Sequence, residues 1–191
     1  MSKPLIIGVN GIAGAGKDTI SNMVIISLQN DHGLKAKAFA FADSLKKAAS
    51  IIFNVPLELF HDRVKKEEVI PYWGMSPRQM AQLLGTEACR KGIRDDIWIK
   101  SLESNVISAD VDVAFITDVR FDNEAEFVKS DGKHGVVVNI RRDNQAVIKD
   151  SGHASEAGIE PELIDHHIIN ITGNVFKAAS DLQTIVLQEI S

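Results

Sequence analysis

The stretch Gly11-Ile-Ala-Gly-Ala-Gly-Lys-Asp-Thr19 (GIAGAGKDT) decides how this chain is read. It follows the apolar run LIIGV (5–9), which predicts a buried strand, and precedes residues 18–29, where Ile20, Met23, Val24 and Leu28 recur at helical spacing. Gly11, four intervening residues, Gly16 and Lys17 match the first seven positions of a phosphate-binding loop, in the strand-to-helix context that this motif requires. Glycines there let successive backbone N–H groups turn inward around phosphates, and the helix N-terminus adds its dipole. The backbone of Gly11, Ala13, Gly14, Ala15 and Gly16 is thus the candidate cradle, with Lys17 as a mobile charge for the outer phosphates. Aspartate stands at position 18, where the usual pattern has a hydroxyl for Mg²⁺. Asp18 could hold the metal directly or through water, Thr19 could supply the hydroxyl, or Asp18 could simply favour the helix dipole.

Working outward, strand-like and helix-like segments alternate. AKAFAF (36–41), VAFIT (113–117), GVVVNI (135–140) and HIINI (167–171) read as four further strands. Leu45, Ala48, Ala49 and Ile52 mark a helix with Asp43 or Ser44 as N-cap. Residues 54–75 are irregular. A helix is expected to start at Ser76-Pro77, another to cover 95–108, and a last one to use Val175, Ala179, Leu182 and Val186. Mostly apolar strands separated by helices predict an α/β fold with a parallel sheet covered on both faces. The 191 residues suit one domain.

Composition narrows the function classes. A net charge of −5 argues against broad nucleic-acid binding, although a few cations focused in one cleft suffice for a small phosphorylated ligand. The single cysteine, Cys89, fits a reducing compartment. No run of about 18 apolar residues could span a bilayer, so no membrane partner is expected and the cytoplasm is the default.

Several charged clusters could carry chemistry. In ITDVRFDNEAEF, Asp118 falls at the end of a strand, where ligand sites of open parallel sheets gather. It could orient Mg²⁺-bound water while Arg120 faces phosphate oxygens; Asp122 reads as a helix cap. NIRRDN opens a polar segment (about 141–158) that could act as a lid, with Arg141 or Arg142 closing onto the transferring phosphoryl group. His153 and Glu156 lack further metal-ligand spacing, and His166-His167 reads as a strand edge. Lys46, Arg63 and Arg78 together could grip a phosphorylated acceptor. Trp98 reads as core packing, with base stacking as the alternative.

Taken in order, GAGKDT, FADSLKKA, SPRQMAQLLGTE, DIWIKSL, ITDVRFDNEAEF, NIRRDN, GHASEAGI and DHHIINITGN resemble the bacteriophage deoxynucleoside-monophosphate kinase family from the N-terminus almost to the last helix. The aspartate after the loop lysine is itself typical of that family. The resemblance implies a P-loop kinase fold with a five-stranded parallel sheet, an acceptor-binding helical region at about 43–108, and transfer of the ATP γ-phosphoryl group to a dNMP with Mg²⁺. It implies that Lys17 serves the ATP phosphates, Arg142 the lid, and Arg78 and Arg120 the acceptor or transferring phosphates, with Asn170 and Gly173 near the adenine. Lys17, Arg120 and Arg142 are thus the catalytic candidates; Asp18, Thr19 and Asp118 stay the metal candidates on the residue reading above. Asp43, Lys46, Arg63, Arg78, Trp98 and Arg120 fall on the acceptor side. Partners would be nucleotides, in a phage-infected bacterium, with a homodimer left open. Two other readings compete: a dephospho-coenzyme-A kinase-like enzyme using Asp43 as base on a hydroxyl, and a nucleotide-dependent switch without metabolic turnover.

Overall fold

The computed structural model describes residues 4–130, 134–143 and 158–190. By its internal contacts the chain divides into two compact units, one comprising Met1–Ala40 and Val106–Ser191, the other Phe41–Asn105.

The first unit is built on a five-stranded, wholly parallel sheet in the order β2-β3-β1-β4-β5. Its strands are β1 (Leu5–Asn10), β2 (Ala36–Phe39), β3 (Val113–Val119), β4 (His134–Arg142) and β5 (His166–Asn170). All six residues of β1 are buried, as expected of a central strand covered on both faces. Period-2 alternation divides the strands between two faces. Leu5, Ile7 and Val9 join Val138 and Ile140 in one core with α1 (Lys17–His32) and α7 (Val175–Ile190), which present Ile20, Val24 and Leu28 and Ala178, Leu182 and Val186 at helical spacing. On the opposite face α6 (Asp122–Lys129) comes so close that a Cβ on Gly8 would lie 3.0 Å from Val128 Cγ2.

The second unit holds α2 (Phe41–Phe53), α3 (Leu57–His61), α4 (Pro77–Gln82) and most of α5 (Ile97–Ser108), around a small cluster of Ala49, Val55, Phe60 and Met80. Helix α4 starts where Ser76-Pro77 predicts. The Ser76 hydroxyl accepts from the Gln79 amide while the Gln79 side chain accepts from the Ser76 amide, a reciprocal capping box. The helix then widens into a π-helix over Leu83–Arg90, which the periodicity does not foretell. Gly85 lies in that stretch against Leu45, and its carbonyl accepts the Trp98 indole N–H at 3.1 Å.

Some boundaries differ from the sequence reading. Strand β2 ends at Phe39, and Phe41 already opens α2, because a helix starting there buries the Phe41 ring instead of extending it as a strand. Asp43 and Ser44 are therefore inside the first helical turn and do not cap it. Ile52 is 58% exposed and does not join the α2 core face. Strand β3 runs two residues further than read, to Val119, with Asp118 at its end as expected. Asp122 is the first residue of α6, and its carboxylate accepts the Glu160 amide at 2.8 Å; the capping role falls to Glu124, which accepts the amides of Arg120 and Phe121. Most of the segment read as a lid, residues 144–157 with His153 and Glu156, lies outside the described residues.

Leu182 is fully buried between the sheet and α1. Leu182→Ala should cost about 2–5 kcal/mol of unfolding free energy, read as a lower urea midpoint with an unchanged slope.

Candidate functional site

Residues 11–16 form a tight turn whose shape depends on glycine. Gly11 has φ 145°, and a Cβ there would stand 2.3 Å from the Ile140 carbonyl oxygen of β4. Gly16, at φ 97°, is the N-cap of α1, and a Cβ there would stand 2.5 Å from Asn170 Nδ2. Both positions combine a left-handed backbone with a neighbour that leaves no room for a side chain. Asn170 is buried and donates Nδ2–H to the Ala15 carbonyl at 2.9 Å, so the end of β5 holds the loop from outside. The adenine-side residue inferred from the resemblance thus has its amide nitrogen committed to the phosphate loop.

Lys17 folds back along the loop, donating to the carbonyls of Gly11 at 2.6 Å and Ile12 at 3.1 Å. Burial, and then the nearby positive charge of Arg120, hold its ammonium below the usual lysine range; Asp18 and Asp118 oppose that shift. Four of the charged residues singled out in the sequence therefore gather at one place.

The gathering has two local causes. Gly8 pairs with Ile116 but Asn10 pairs with Val119, so β3 carries one residue more than β1 across this interval. That β-bulge, rare between parallel strands, sets Thr117 and the half-buried Asp118 together opposite Val9. Beyond it, the buried Glu124 carboxylate fixes the Arg120 amide at 2.8 Å and leaves the side chain exposed. Asp18 and Asp118 both act on the Lys17 ammonium, and Thr19 follows Asp18 in the first turn of α1; among the described residues no group of three or more His, Cys, Asp or Glu is placed to hold a metal ion.

Beside the loop, Gly16, Thr19, Arg142, Asn170, Ile171, Gly173 and Val175 line a groove of about 280 Å³. Arg142 and Gly173 thus meet the loop at one groove. The turn after β5 is pinned by Asp143, whose carboxylate accepts the Thr172 amide at 3.0 Å and the Thr172 hydroxyl at 2.7 Å. Asp143 and Thr172 escape the sequence reading; the one hint is an acid directly after Arg141-Arg142, and its partner is 29 residues away.

In the helical unit, Asp43 sits in the first turn of α2 and Lys46 follows, its Nζ 3.5 Å from His61 Nδ1. Burial, and then Lys46, lower the His61 pKa, while Asp43 and Glu58 act in the opposite sense. Arg78 is ion-paired with Glu67 at 2.9 Å, and Arg63 is exposed in the turn after α3. Trp98 is 8% exposed and its indole N–H donates to the Gly85 carbonyl, the placement expected of a core residue.

The family model for deoxynucleotide monophosphate kinase matches residues 52–175. The chain belongs to that family. It is similar to the deoxynucleoside-5'-monophosphate kinase of Escherichia phage T5, with 27% identity covering 87% of this chain and 89% of the relative. A protein of Acanthamoeba polyphaga mimivirus, described as a candidate deoxynucleotide monophosphate kinase, is 33% identical over 89% of each chain. Membership agrees with the sheet: the α/β fold with five parallel strands is the P-loop kinase architecture that the motif order implies. No helix among the described residues is long and apolar enough to cross a membrane.

Two outcomes follow for this deoxynucleotide monophosphate kinase. Because the folded state holds Lys17 below its unfolded pKa, the unfolded chain binds more protons between the two values, and unfolding stability rises with pH through that window. Bound polyphosphate favours the charged lysine. ATP binding at a pH between the folded-state and the ordinary lysine pKa should therefore take up protons, measured by calorimetry in buffers of different ionisation enthalpy, and Lys17→Met should abolish the uptake. Asn170→Ala removes the clamp on Ala15 and should raise the KM for ATP about tenfold, the scale of a lost buried hydrogen-bond partner; steady-state kinetics read it directly.

Proposed function

We propose that this kinase transfers the γ-phosphoryl group of ATP to a deoxynucleoside monophosphate, giving ADP and a dNDP for DNA precursor synthesis in the cytoplasm of a phage-infected bacterium. The observation that carries the reading is the convergence of Lys17, Arg120, Asp18 and Asp118 on one glycine-built loop, in a chain of this family.

The acceptor is a phosphate oxygen that is already anionic at neutral pH, so the step needs no strong general base. What it needs is alignment, and cations where charge spreads over the transferring group. The loop amides and Lys17 serve the outer phosphates of ATP. Gly16, Thr19, Asn170 and Gly173 border the groove assigned to the remainder of the nucleotide, with Arg142 at its edge. Asp18, Thr19 and Asp118 would hold Mg²⁺, which supplies further charge neutralisation when bound. Lys46, Arg63 and Arg78 are assigned to the acceptor's phosphate, and Asp43 to its sugar. The Arg78–Glu67 pair supports this role by holding the guanidinium in a defined position before substrate arrives.

A coupled ADP-release assay across dNMPs, NMPs and dephospho-coenzyme A tests the reading. dNMP-dependent turnover is expected, with Lys17→Ala lowering it by about 10³–10⁵, the range for cationic donors in phosphoryl transfer. Asp43→Asn should leave measurable dNMP turnover. A collapse at that position, with turnover on dephospho-coenzyme A, would instead mark a hydroxyl kinase.

A further inference from the structure

Two apolar strands, LIIGVN and GVVVNI, each carry an asparagine near their C-terminal ends, and the register sets Asn10 directly beside Asn139. Both side chains are buried, at 7% and 6% exposure. They form a directional chain. The Arg141 Nε–H donates to Asn139 Oδ1 at 2.9 Å, Asn139 Nδ2–H donates to Asn10 Oδ1, and Asn10 Nδ2–H donates to the Val119 carbonyl at 2.9 Å. Burying two amides is unfavourable unless each is bonded, and an apolar pair would hold the register more cheaply. The chain crosses β4, β1 and β3 at the phosphate-loop end of the sheet. It ends on the residue between Asp118 and Arg120.

Alternation separates the two arginines of β4. Arg142 faces the groove with Thr19 and Val175, whereas Arg141 shares its face with Asn139, the face that α6 covers further along the strand. Ile140, directly before Arg141, is the residue whose carbonyl presses on Gly11. Arg141 and Arg120 therefore leave the sheet on either side of β1. Two strand spacings put their backbones roughly 10 Å apart, a gap that two guanidinium side chains span onto one phosphoryl group between them. The relay uses only Nε of Arg141 and does not engage the Nη1/Nη2 edge, which is the edge suited to paired phosphate oxygens.

We propose that Asn10 and Asn139 are positioning residues that fix Arg141 at the mouth of the phosphate loop, where it binds phosphoryl oxygens as a second guanidinium opposite Arg120. This rests on the kinase reading above and deepens it.

A double-mutant cycle tests it with ATP and the best dNMP found. Arg141→Ala should lower kcat by about 10²–10³, the scale of one lost transition-state donor, and added guanidinium should restore part of the loss. Asn139→Ala should lower kcat about tenfold in the wild-type background and by less than about twofold in the Arg141→Ala background, because it acts through that arginine. Wild-type kcat in Arg141→Ala, or an equal loss from Asn139→Ala in both backgrounds, would overturn the relay. Should Asn139→Ala melt at assay temperature, Arg141→Lys decides the matter. A lysine keeps the charge but cannot hold Asn139 and two phosphate oxygens at once, so kcat should fall at least about tenfold; full activity would reduce Arg141 to a general positive charge. A wild-type enzyme inert toward every dNMP would overturn the kinase reading itself, a result distinct from any pattern within the cycle.

Discussion

At the phosphate loop the neighbouring strands approach the glycine backbone more closely than any Cβ there would allow. Gly11 meets the Ile140 carbonyl, and Gly16 meets the Asn170 amide, each at a distance a Cβ would violate. Those contacts tie the loop to β4 and β5, so a turn containing Gly11, Gly14 and Gly16, which would otherwise carry a large conformational entropy, is held in one shape. The loop's ability to present N–H groups inward therefore depends on the carboxyl ends of its neighbouring strands. The same strand ends deliver Arg141, Arg142 and Asn170, and tight packing and placement of charge are two effects of one constraint.

Electrostatics at the loop is balanced and not uniformly positive. Lys17 lies under burial and near Arg120, both of which disfavour its charge, while Asp18 and Asp118 favour it. A site poised in this way gains when a polyphosphate enters, because the anion removes the penalty on the lysine and adds its own attraction. The protein's net charge of −5 does not oppose this, since the field that matters is set by a few residues within about a Debye length. The rigid parts are buried: the Glu124 carboxylate on the Arg120 amide, and the paired asparagines beneath Arg141.

Family and fold were legible in the sequence because both rest on local signals. A strand, a glycine turn with lysine and a following helix are consecutive, and the five apolar runs all became strands of one parallel sheet. Where local preference and packing compete, local reading erred. Phe41 continues a strand pattern but opens α2, and Ile52 fits a helical stripe but faces outward. The π-helix over Leu83–Arg90, where Gly85 sits against Leu45 and accepts the Trp98 N–H, is likewise encoded by no periodicity.

By itself, then, the sequence determined the residue types and their order: glycines where the chain must turn sharply, a lysine at the helix start, acids and arginines at or just past strand ends. Partnership among them was decided only in three dimensions. Asn10 bonds to Asn139 across 129 residues, and Asn170 clamps Ala15 across 155. Such pairs are made by strand register and by a bulge in β3, and register is a property of neighbouring strands that no single stretch of chain contains.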